Sequence, residues 1–121
     1  MKRIVRIFIV VAGMAVLLSA CQEPPPAYSF EGITTSSGVE LPLALSFERR
    51  GERLTGEYRV LNAVGVFSGV ISGEVIIADL RPSSDCSYDF EGALVGDSLT
   101  GAFTPTACPG GQAGVWALVL R

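Results

Sequence analysis

The chain has 121 residues, 49% hydrophobic and 17% charged, with a formal net charge of −3 and no histidine. Lys2, Arg3 and Arg6 hold three of its nine positive charges, so beyond them six arginines face 12 acidic residues. That balance lacks the basic footprint of a nucleic-acid binder, and the absence of histidine removes the group that most often moves protons near neutral pH.

At the N-terminus, the basic Met1–Arg6 precedes an apolar run from Ile7 to Leu18 and then Leu18-Ser19-Ala20-Cys21. A basic start, a short apolar stretch and small residues before a cleavage point form a secretory signal. The apolar run is only about half the roughly 20 residues that a membrane-spanning helix needs. Leu18-Ser19-Ala20-Cys21 resembles the lipobox of bacterial lipoproteins. The resemblance implies a signal peptide over residues 1–20, diacylglycerol on the Cys21 sulfur, cleavage before Cys21 and acylation of the new amino group. Its partner is then the membrane, through a palmitate-type anchor on the extracytoplasmic side. Gln22 stands where an aspartate would favour inner-membrane retention, so the outer membrane is expected in a cell with two. Residues 21–27 include Pro24, Pro25 and Pro26, which favour an extended polyproline tether.

From Tyr28, apolar and polar residues alternate with period two between turn signals, and no helical stripe is evident. Residues 28–121 are therefore expected to form one small all-β domain. Its strands are expected at 28–34, 39–48, 53–61, 64–71, 74–80, 86–94, 98–104 and 113–120. In the second and third, pairing Phe47 with Leu54 around Arg49–Glu52 sets Leu45 against Gly56, Leu43 against Tyr58 and Glu48 against Arg53. Over 64–80, Val64-Gly65-Val66-Phe67 and Val75-Ile76-Ile77-Ala78 are apolar on both faces, which leaves burial on both sides open. A tight turn at Gly96–Asp97 sets Leu94 against Leu99, Gly92 against Gly101 and Phe90 against Phe103. Extending that register places Cys86 opposite Ala107, beside Cys108. With Cys21 lipidated, Cys86 and Cys108 are left as a pair in an oxidising compartment, and a structural disulfide is expected.

Short links between successive strands imply an antiparallel up-and-down β-barrel of about eight strands, closed so that no edge remains. Gly32, Gly56, Gly92 and Gly101 point inward beside aromatic rings, which suits either a filled barrel or one hollow enough for a small ligand. The overall pattern resembles the small calycin-like β-barrel lipoproteins, in architecture only. No metal, no cofactor and no catalytic residue is expected. Ser-His-Asp and Cys-His arrangements lack their histidine, and the carboxylates alternate with apolar residues on what should be a solvated face. Trp116 is expected to plug one barrel end or to stand exposed in a ligand mouth. Together with Tyr58 and Phe103 it is the candidate ligand or interaction site. The function expected is a non-enzymatic envelope binding or structural module that takes a small apolar ligand in the barrel. The alternative is an interaction or inhibitor module meeting an envelope protein through Arg49–Glu52 and Pro105–Gln112.

Overall fold

A computed structural model describes residues 24–121; residues 1–20, expected as a signal peptide, and Cys21 lie outside the described residues. Eight strands follow one another: β1 (Ala27–Ser36), β2 (Val39–Arg50), β3 (Arg53–Val60), β4 (Ala63–Ser72), β5 (Val75–Ser83), β6 (Cys86–Val95), β7 (Ser98–Pro105) and β8 (Gly114–Leu120). Each pairs antiparallel with the next and β8 returns to β1, so the sheet closes into an up-and-down barrel. Among the described residues, every strand edge is paired within residues 27–120.

Period-two alternation decides which side chains enter the barrel. Phe30, Leu45, Phe47, Leu54, Phe67, Ile76, Phe90, Leu99, Trp116 and Leu118 point inward and are buried, whereas Val66, Val70, Val75 and Ile77 are about half exposed. The β4–β5 pair is thus buried on one face only, because the closed barrel leaves nothing packed outside it. Eight strands make an interior just wide enough for side chains to fill. Here aromatic rings fill it: Phe30 and Phe67 stack on Phe47 at 5.6 Å, and Phe90 lies 4.8 Å from Trp116.

Six of the seven connections are two-residue turns, and they set the register. Gly51–Glu52, Gly73–Glu74 and Gly96–Asp97 each place a glycine with φ near +60° first, followed by an acidic residue. A left-handed residue at the first turn position matches the right-handed twist of the flanking strands. The Gly96–Asp97 hairpin has the expected register, with Phe90 against Phe103 and Leu94 against Leu99. The β2–β3 hairpin differs from expectation by two residues: Phe47 faces Gly56, Leu45 faces Tyr58, and Arg50 faces Arg53. A four-residue loop would let Glu48 meet Arg53, but Gly51 allows the tighter turn, and a slip of two keeps every side chain on its face.

The closed meander sorts the connections into two ends. Ala27, Leu120 and the three glycine–acid turns lie at one end; Ser37–Gly38, Leu61–Asn62, Ser84–Asp85 and residues 106–113 lie at the other. Pro26 meets the fold at the first end, where its carbonyl accepts a hydrogen bond from the Arg49 N–H. Any tether before Ala27 therefore enters the barrel at the end remote from residues 106–113.

Candidate functional site

Residues 106–113 form the one long connection, and they are fastened on both sides. Cys86 and Cys108 are disulfide-bonded across the β6–β7 pair, with Cα atoms 4.1 Å apart. The Ser87 N–H donates to the Ala107 carbonyl, and the Thr106 and Ala107 N–H groups donate to the Ser87 carbonyl. On the far side the Ser36 hydroxyl donates to the Ala113 carbonyl at 2.8 Å, and Ser37 bonds the Gln112 side chain. The segment thus spans the mouth from β6 to the β1–β2 turn. Gly111 sits so close to the Tyr88 hydroxyl that a Cβ there would approach it to 2.7 Å.

The β3–β7 side of the mouth stays open. A depression of about 200 Å³ lies there, lined mainly by Tyr58, Val60, Leu80, Pro82, Tyr88 and Phe103. Larger depressions of about 520 and 360 Å³ lie on the outer face of β1–β3, but they are shallow, open to solvent and edged by Glu48, Glu57 and Arg59. The mouth is smaller, more enclosed and more apolar, which is the character of a small-molecule site.

Two of the three candidate residues meet there. Tyr58 projects from β3 over Gly65 of β4, where a Cβ would run into its ring. Phe103 projects from β7 and packs edge-on against Tyr88, with centroids 5.6 Å apart and planes at 80°. Trp116, the third, is only 3% exposed. It is packed in the core, 5.4 Å from Tyr58 and 6.4 Å from Phe103, and does not line the depression. Sequence reasoning missed Tyr88, Leu80 and Pro82. Tyr88 was within reach, since it stands two residues before the buried Phe90 on the same inward face.

Burial pushes the Tyr58 hydroxyl up from its ordinary 10.0 to about 12, and Tyr88 and Asp79 add to the effect. Asp79 faces Asp89 across the outer surface of β5–β6, and the Arg81 Nε donates to its carboxylate at 2.7 Å. Among the described residues no three acidic, cysteine or histidine side chains gather as a metal site would require. The two loops expected as interaction segments lie at opposite ends of the barrel: Arg49–Glu52 at the end where the chain enters and Pro105–Gln112 at the mouth.

No family model matches the chain, and neither a curated protein nor a solved structure shows significant similarity to it.

Proposed function

We propose that this chain is a membrane-anchored envelope lipoprotein whose barrel is a non-enzymatic binding module, taking a small apolar ligand at the mouth opposite its tether. The observation that carries the reading is the meeting of Tyr58, Tyr88 and Phe103 around one apolar depression above a filled core. A filled interior moves the ligand from the centre of the barrel to its mouth. An apolar cavity of about 150 Å³ is known to admit a benzene-sized molecule, so about 200 Å³ suits one ring or one short branched alkyl group.

The test is binding of a neutral apolar fluorophore to residues 22–121, a unit that keeps every strand and its closing pairs. Micromolar binding, weakened about tenfold or more by Tyr58→Ser or Phe103→Ser, is the expected result. Binding that ignores both substitutions, or none at all, would remove the reading. The anchor is tested separately by labelling growing cells with palmitate: label is expected in the full chain and lost in Cys21→Ser.

Protein interaction remains the second reading, and the fastening of residues 106–113 favours it, since a pre-ordered loop costs less entropy to bind. With Arg49–Glu52 at the opposite end, such a partner would use the mouth loop alone. Co-purification of an envelope protein, abolished by replacing Pro109–Gln112 in a chain that still folds, is the outcome that would favour it.

A further inference from the structure

The mouth has a chemical character beyond being apolar. Three aromatic rings line it, and Tyr88 and Phe103 meet edge to face, with centroids 5.6 Å apart and planes at 80°. Tyr58 supplies the third ring, held over Gly65, while Pro82 and Val60 complete an uncharged rim. Ring faces carry negative charge density, and a cation set among several of them is attracted strongly once water is excluded.

Charges of both signs surround it, Arg59 and Arg81 beside the lining residues of β3 and β5 and three carboxylates on β5–β6. Asp79 and Asp89 sit side by side on the outer faces of β5 and β6, and Asp85 lies in the turn between those strands. Arg81, the guanidinium nearest them in sequence, is engaged by Asp79. Carboxylates are thus grouped on the strands that form the mouth, yet none is among the residues lining it. That separation discriminates between cations. A primary ammonium must keep three N–H donors satisfied, and this lining offers few acceptors. A quaternary ammonium has no N–H to satisfy and presents its methyl groups to the rings.

We propose that the mouth is an aromatic cage for a quaternary ammonium group, such as the trimethylammonium head of choline. The proposal rests on the mouth being the binding site and adds the charge of what enters it. Choline could arrive free or as a lipid headgroup, and the chemistry at the cage is the same.

Residues 22–121 titrated with choline chloride, and in parallel with its neutral isostere 3,3-dimethyl-1-butanol, separate charge from shape. Trp116 fluorescence is the readout, because the indole packs against Tyr58 and Phe103. Saturable choline binding, about tenfold or more tighter than the isostere and lost in Phe103→Leu, is expected. Equal binding of the two would overturn the ammonium claim and leave an apolar mouth. Binding of neither would overturn both. A third arm, flotation with phosphatidylcholine against phosphatidylglycerol vesicles, assigns the source: capture by the first alone supports a lipid headgroup, and free choline binding without capture supports a soluble ligand.

Discussion

Tyr58 carries more consequences than any other side chain of the barrel. Its ring covers Gly65, touches Trp116 and walls the mouth, so the space above Gly65 is already occupied. Gly65→Ala should displace the ring, lowering stability by about 1–3 kcal/mol, the usual cost of overpacking. Urea unfolding measures the loss, and ligand binding at the mouth should fall with it. The raised Tyr58 pKa has a defined sign. Below pH 10 the hydroxyl is protonated in both folded and unfolded chains and pH has no effect through it. Between 10 and about 12 the unfolded chain releases a proton that the folded one keeps, so stability falls as pH rises through that window. Denaturant midpoints at pH 9.5 and 11.5 should show a drop that is smaller in Tyr58→Phe, which has no proton to lose.

Among the elements, the hairpins divide into those fixed by their turn and one fixed by covalent chemistry. The β7–β8 connection is too long for its turn to dictate register, and the Cys86–Cys108 bond holds its start against β6. Replacing both cysteines with serine should cost about 3 kcal/mol on the chain-entropy account for a separation of 22 residues. Hydrogen exchange should show the bonded amides of Thr106, Ala107 and Gly111 losing protection first, while those of Ile71 and Leu94 at the far end keep theirs. Much of this architecture was legible in the residues. Eight period-two segments between short breaks match the eight strands, and Gly96–Asp97 set a register that brought the two cysteines together. The β2–β3 register was not legible, because slips of two preserve inside and outside and only Gly51's backbone distinguishes them. The mouth was half legible. Tyr28-Ser29-Phe30 and Tyr88-Asp89-Phe90 follow the same pattern, but β1 and β6 run in opposite directions. The fold therefore sends Tyr28 to the tether end and Tyr88 to the mouth, as odd and even strands of a meander alternate in direction.

At the level of the molecule, the interior is opposite in polarity to that of a barrel that crosses a membrane. Such barrels face lipid with apolar residues and line their lumen with polar ones. Here the aromatic core lies within, and the outer face is mixed, with Glu31, Glu57, Asp89 and Glu91 beside the half-exposed Val66, Val70, Val75 and Ile77. Association with a membrane through Cys21, as proposed, would tether the barrel by the end where Pro26 meets Arg49, opposite the mouth. Binding at the mouth is the centre of this account, and mapping it residue by residue is the most direct test. Amide and aromatic NMR shifts of residues 22–121 should be recorded as choline or a neutral apolar probe is added. The shifts should cluster on Tyr58, Leu80, Tyr88 and Phe103, fade through Trp116, and vanish at the Gly51, Gly73 and Gly96 turns. Shifts centred on the outer grooves of β1–β3, or none at millimolar probe, would contradict it.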